Sequence, residues 1–355
     1  MHYSVIKILR SYTHTGSIKG FLAKLFIVFS KYECFHSDSL ETDNILLFIG
    51  FERIFRGDHF DQLRLINNTL NRKNRRASLI CYKRKFTCLY LWSFFELRCV
   101  AALALKQMED ALCDLRLQNY TKCLVHCDIV PLQAFMVKAC NNICVDTFTL
   151  QHGFYPNPNS SQQWLTEYRC SESRNFFAWD EKTISFFESV GNNKIFLRAG
   201  PFLTPDQVIL PQSLEPPRSI FFLPAKSDVE QINFITRLGK LYDSQGVEVV
   251  YICHPNFSWL TKTYLSRKYG IVIKYPSFKK SLKENDICFV LNSSVWVELE
   301  LNFFKVIMLD TYFINDQIFW IDFDLLKEHE NIYARQPFMF GPEAINTIIQ
   351  RLLDD

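Results

Sequence analysis

The sequence predicts an α/β protein made of two doubly wound, parallel-sheet domains. Three observations predict it. Short apolar, β-branched runs alternate with amphipathic stretches of helical period along most of the chain. A proline-dense break separates two such series, and the runs of the second series stop abruptly at small polar or basic residues. With 355 residues, 48% hydrophobic and 22% charged, the chain can bury two ordinary cores and is too apolar for disorder. Its net charge of +3, with dispersed basic residues, argues against nucleic acid as a partner.

Residues 1–42 read as a basic, amphipathic lead-in, with Lys7, Arg10, Lys19, Lys24 and Lys31 punctuating the apolar run from Phe21 to Phe29. Broken by Lys24, that run is short of the roughly 20 residues a membrane span needs. Its pattern favours a helix packed on the first domain over one lying on an anionic membrane surface.

The first domain, residues 43–204, begins with a strand over 44–51, a helix over 58–70 and a strand over 77–82. A long helical stretch over 89–115 leads to a strand over 122–129 and a helix over 131–141 with Pro131 at its first position. Residues 144–150 form a strand ending at Gln151-His152-Gly153. Strands over 176–179 and 194–198 flank a helix over 181–190 that stops at Gly191.

Pro201, Pro205, Pro211, Pro216 and Pro217 mark the break, with a linker at 205–218. The second domain, residues 219–340, runs strand 219–223, helix 229–242, strand 247–253, helix 259–269, strands 271–274 and 287–291, helix 295–303 and strand 306–309. Residues 341–355 hold a closing helix. There is no internal repeat and no low-complexity tract.

The 12 cysteines follow no secretory signal. Cys81, Cys99, Cys123, Cys144, Cys253 and Cys288 sit in apolar runs, where a reduced thiol acts as a small hydrophobe. Cys123/Cys127 and Cys140/Cys144 have a spacing that can hold zinc, but on strands and a helix core packing is the better reading. A reducing cytoplasm is the expected location, with association at the inner membrane surface left open by the basic lead-in.

Two junctions in the second domain carry the chemistry. Val247–Cys253 runs into His254-Pro255, and Ile287–Leu291 runs into Asn292-Ser293-Ser294 and, one helical turn on, Glu298. In open α/β sheets ligands sit outside the carboxyl ends of the strands. Hydroxyls and backbone N–H groups at a helix start suit a phosphate, His254 can bond a phosphate oxygen, and Pro255 fixes the turn that aims it. Glu298 can accept ribose hydroxyls. The alternatives are a histidine that merely ends a strand and serines that only cap a helix. Lys226, in the loop after the first strand of this domain, can neutralise phosphate charge, while Ser227 or Asp228 can simply cap the next helix.

This set, His-Pro followed by Asn-Ser-Ser-Val-x-x-Glu and then Val306-Ile307, resembles GT-B glycosyltransferases of bacterial surface polysaccharides. It is most similar to the CMP-sugar enzymes, the sialyl-, polysialyl- and capsule Kdo transferases. The resemblance covers roughly residues 220–310. It implies a GT-B-like pair of domains facing a central cleft, with His254, Ser293 and Ser294 on the CMP phosphate and Glu298 on the nucleotide ribose. Where such enzymes often have Gly-Lys-Pro-Val, this chain has Phe303-Phe304-Lys305-Val306, which leaves the donor open.

In the first domain, Gln151-His152-Gly153 is similar to stretches on the cleft edge of many polysaccharide glycosyltransferases. His152 can be the general base for an acceptor hydroxyl or can balance leaving-group charge, and Gly153 lets a ligand approach the backbone. A histidine bonded only to backbone is the other reading. Asp128 is a rival base, or a cap for the helix at Pro131. No Asp-x-Asp stretch of the metal-binding type lies near a cleft position. Asp322 and Asp324 have the spacing but fall in a late aromatic segment, so neither metal nor cofactor is expected.

The expected activity is metal-independent, inverting transfer of a sugar from a nucleotide donor, CMP-linked by preference, to a growing surface glycan such as capsule or lipopolysaccharide, free or lipid-linked. A polyol-phosphate transferase using CDP-glycerol, a UDP-sugar glycosyltransferase, and a non-catalytic polysaccharide assembly or export subunit are the competing expectations.

Overall fold

The computed structural model describes residues 27–38, 44–50, 57–86, 100–151, 169–179, 181–189, 191, 194–200, 218–223, 229–253, 259–269, 273–274, 282–283, 286–291, 295, 299, 305–309, 313–314, 317–318 and 341–354. The chain divides into two compact units, Met1–Phe202 with Pro337–Asp355, and Leu203–Gln336.

Unit 1 is built on a seven-stranded sheet in the order β1-β3-β2-β4-β5-β6-β7. Its strands are β1 (Ser30–Ser37), β2 (Ile45–Ile49), β3 (Ala77–Phe86), β4 (Lys122–Val125), β5 (Asp146–Leu150), β6 (Asn175–Ala178) and β7 (Ile195–Arg198). All neighbours pair in parallel except β1, which runs antiparallel to β3 at the edge. The chain goes from β2 through α1 (Gly57–Arg72) to β3 on one side. It then passes through α2 (Val100–Leu112) to β4 on the other side of β2. The strand order therefore reverses between β2 and β4, the kind of switch point beside which ligands bind in open α/β sheets.

Alternation along the strands explains the two layers. Leu46, Phe48, Cys123 and Val125 face a core closed by Ala104, Met108 and Leu112 of α2 and by Leu132, Met136 and Cys140 of α3 (Pro131–Asn142). Ile45, Leu47, Ile49 and Leu124 face the opposite core. That side is closed by Leu63, Ile66 and Leu70 of α1, and by Ile345, Ile348, Ile349 and Leu352 of the last helix, which is part of this unit. Each fully buried side chain of this size contributes about 1.5–3 kcal/mol, so tertiary packing rather than helix propensity holds these elements. Beyond β6, α4 (Glu181–Ser189) buries Phe187 against Phe176, with ring centroids 4.6 Å apart.

Ser30–Ser37 departs from the expectation of a helical lead-in. This segment is the edge strand, half-exposed along its length and therefore without the apolar run of a buried strand. The expected strand over 122–129 also ends early, at Val125. Cys127, Ile129 and Val130 are buried instead against Phe176, Ala178 and Phe187. Cysteines 123, 127 and 140 are buried in the core, whereas Cys144, expected within an apolar run, is exposed at a positive φ of 63° in the turn before β5.

Unit 2 has a five-stranded, all-parallel sheet, β10-β9-β8-β11-β12. It runs β8 (Ser219–Phe222), α5 (Val229–Ser244), β9 (Val249–Ile252), α6 (Trp259–Tyr269), β10 (Ile273–Lys274), β11 (Ile287–Leu291) and β12 (Lys305–Leu309). Here the order reverses between β8 and β11. One layer packs Ile232, Ile235 and Leu238 of α5 on Phe221, Tyr251 and Phe289; the other gathers Ile220, Phe222, Val250, Ile252, Cys288, Val290 and Leu299. Gly239 lets α5 approach β9, because a Cβ there would stand 1.9 Å from the Tyr251 hydroxyl. At the amino ends of β8 and β11, Arg218 and Asp286 form a buried two-pronged ion pair at 3.0 and 2.7 Å. The last helix of the chain, α7 (Gly341–Leu353), closes unit 1 as described above.

Candidate functional site

In unit 2 the register fixes where the strands finish. Phe222 pairs with Ile252 on one side and with Val290 on the other, so the carboxyl ends of β8, β9 and β11 are level beside the switch point. Leu223 extends the ladder by donating its N–H to the Ile252 carbonyl at 2.8 Å. In sequence, Lys226 follows Leu223 by three positions, His254 follows Cys253 directly and Asn292 follows Leu291 directly. Lys226, His254, Pro255, Asn292, Ser293, Ser294 and Glu298 themselves lie outside the described residues. Val295 and Leu299 are helical, four positions apart, and pack into the layer containing Ile220 and Val290.

In unit 1 the corresponding edge carries polar side chains that engage one another, and one of them, Asp128, binds the segments that enter β6 and β7. α3 opens with Val130 at its N-cap and no side-chain cap bond, so Asp128 does not cap it. The third residue of that helix, Gln133, instead turns its amide oxygen to the backbone N–H groups of His126 and Cys127, at 2.9 and 3.0 Å. This fixes the turn that leaves β4. His126 Nε2 shares a hydrogen bond with Gln62 Oε1 of α1 at 3.0 Å. The His126 ring stacks on His59, from the first turn of α1, with centroids 3.9 Å apart and planes 25° apart. Both rings are buried.

Asp128 sits in the same turn. Its Oδ2 accepts from the Ser171 hydroxyl at 2.5 Å, the Ser173 N–H at 3.0 Å and the Lys194 ammonium at 3.2 Å. Lys194 also donates to the Ser173 carbonyl and hydroxyl at 2.8 and 2.7 Å. The two side chains are 3% and 1% exposed. Burial alone would raise the Asp128 carboxyl, but the Lys194 charge and the Ser171 and Ser173 bonds outweigh it and hold it below the usual carboxylate range. Burial lowers Lys194, with the Asp128 charge opposing it in part. A carboxylate in this state is a weak base bound on one oxygen by three donors, and its effect is to clamp the β4–α3 turn to the segments preceding β6 and β7.

Gln151, at the end of β5, is also buried. Its backbone N–H donates to the Phe177 carbonyl at 3.1 Å, and its Oε1 accepts from the Trp179 N–H at 2.5 Å. It ties the end of β5 to the end of β6. His152 and Gly153 lie outside the described residues. Sequence reading missed His59, Gln62, Gln133 and Lys194 as members of this edge. His126 carries the signal used for His254, a histidine directly after an apolar strand, whereas His59 and Lys194 have no local signature.

No family model matches the chain, and no curated protein matches it. Among solved structures, one that it is similar to is the crystal structure of Arabidopsis thaliana UGT89C1 complexed with UDP-L-rhamnose, at 10% identity and a TM-score of 0.40, over 88% of this chain and 94% of that chain.

Proposed function

We propose that the protein is a glycosyltransferase of the GT-B kind that uses a nucleotide-activated sugar, with a CMP-sugar as its donor. The observation that carries this reading is the level ending of β8, β9 and β11 beside the unit 2 switch point, with Lys226, His254 and Asn292–Ser294 next along the chain. Those residues supply an imidazole, an ammonium and two hydroxyls, a set suited to a nucleotide phosphate. Glu298 takes the ribose hydroxyls and Pro255 aims His254.

In the reaction, His152 removes the proton from an acceptor hydroxyl. The freed oxygen attacks the anomeric carbon, and the bond from that carbon to the phosphate oxygen breaks with one inversion. The negative charge that appears on the departing nucleotide is met by His254, Ser293 and Ser294, without a metal. Asp128 and Gln151 hold the unit 1 edge in place, and Gly153 leaves room for the acceptor, a surface glycan or its lipid-linked precursor. Among the described residues no helix is long and apolar enough to cross a membrane.

A thermal-shift screen with CMP, UDP, CDP and GDP tests the reading, because a ligand that binds only the folded state raises the unfolding midpoint. Stabilisation by CMP above the others, with transfer from a CMP-sugar undiminished in excess EDTA, is expected. Selective stabilisation by CDP with phosphodiester formation would replace it with polyol-phosphate transfer, and stabilisation by UDP with a UDP-sugar reaction. No shift with any of the four would remove the nucleotide site.

A further inference from the structure

The geometry points to the stacked His59–His126 pair as an acid-sensitive latch between α1 and the turn that follows β4. The inference concerns unit 1 alone and stands or falls independently of glycosyl transfer.

Both rings are buried, at 2% and 0% exposure, with centroids 3.9 Å apart. α1 grips the turn twice from one face: His59 stacks on the His126 ring, and Gln62, three residues on, bonds its Nε2. Two imidazolium charges at that separation and out of water would repel strongly, so the folded pair holds at most one proton.

Among the described residues, Asp38, which meets α1 at Asn67, is exposed and bonded to His36 at 2.8 Å. Asp61 and Arg64 on α1 are exposed, as are Glu343 and Arg351 on α7, which packs on α1. Asp128, two positions past His126, is already balanced by Lys194.

The unfolded chain takes one proton on each ring as the pH falls through about 6.5. Unfolding in acid therefore takes up at least one proton that the folded pair excludes. The latch is at full strength above about pH 6.5 and weakens below it, the unfolding constant rising by up to about tenfold per pH unit for each excluded proton. What loosens is the hold of α1 on the His126–Val130 turn, at the edge where the strand order of unit 1 reverses.

The test compares the full-length protein with the His59→Phe variant, which keeps an aromatic partner and removes one titrating ring. Denaturant unfolding at pH 7.5 and pH 5.5 gives the ratio of unfolding constants. That ratio is expected to be about tenfold smaller in the variant. In parallel, ring signals of the 8 histidines in the folded wild type are followed by NMR between pH 8 and 5.5. At most one of the His59 and His126 signals is expected to titrate. Parallel acid sensitivity in the two proteins, or normal titration of both rings in the folded state, would overturn the latch. Should the variant fail to fold, the ring titration alone decides.

Discussion

The two units each wind around a switch point, with different strand orders, β1-β3-β2-β4-β5-β6-β7 and β10-β9-β8-β11-β12, and use their polar residues differently. In unit 1, the polar side chains around the β4–α3 turn and the end of β5 are turned on one another: Gln133 on the His126 turn, Gln62 and His59 on the His126 ring, Asp128 on Lys194 at the amino end of β7, and Gln151 on Trp179. In unit 2, the buried ion pair of Arg218 and Asp286 stands at the amino ends of β8 and β11, away from the switch-point edge. The residues that follow the carboxyl ends there are the ones to which the proposed function gives phosphate-binding roles. Polar side chains bonded to one another rigidify the segments that carry them, whereas the proposed phosphate site leaves its donors to the ligand.

The largest effect expected from this difference is on turnover. His152→Ala should cut transfer by roughly 10²–10⁴ while donor affinity stays near wild type. Asp128→Asn should act mainly through folding. Unchanged turnover in folded His152→Ala would remove His152 as the base, and a larger catalytic loss in folded Asp128→Asn would move the base to Asp128 and undo the division between a clamp and a catalyst.

Next comes the clamp itself. Removing the charge of Asp128 leaves the Lys194 ammonium buried and without its counter-ion, so Asp128→Asn should destabilise unit 1 by about 3–5 kcal/mol in denaturant unfolding. Because the folded carboxyl lies below its ordinary value, its contribution is fully present above about pH 3.9 and is lost as the pH falls through the folded value. A loss under 1 kcal/mol would show that the turn is held by its apolar contacts alone.

A smaller effect probes unit 2 away from its strand ends. Gly239→Ala drives a methyl into the Tyr251 hydroxyl, and displacing that ring disturbs its stack with Phe221, at a cost of about 1–3 kcal/mol with nucleotide affinity little changed. An equal loss of affinity and stability would mean that the α5–β9 packing and the strand-end site are one structural unit.

Much of the fold was legible because buried parallel strands advertise themselves. Leu46–Ile49 and Cys288–Leu291 are unbroken apolar runs, and the Pro201–Pro217 break lies beside the division at Phe202. β1 was not legible. An edge strand half in water alternates Lys31, Glu33 and His36 with its buried positions and has no continuous run. The apolar residues Cys127, Ile129 and Val130 read as more strand, since nothing local says that they pack on β6 from a turn. In the unit 1 edge, Asp128 drew notice as a carboxylate after a strand. Its partner Lys194 belongs to a segment far along the chain, and only the tertiary fold converts a candidate base into half of an ion pair.

The most direct test of the central claim, that unit 2 holds a nucleotide phosphate at the ends of β8, β9 and β11, is calorimetric titration of CMP, UDP and CDP into wild type and His254→Ala. The preferred nucleotide should bind about 1–3 kcal/mol more weakly to the variant, with its unfolding midpoint unchanged in the absence of ligand. Equal affinity of wild type and folded variant for all three nucleotides would contradict it.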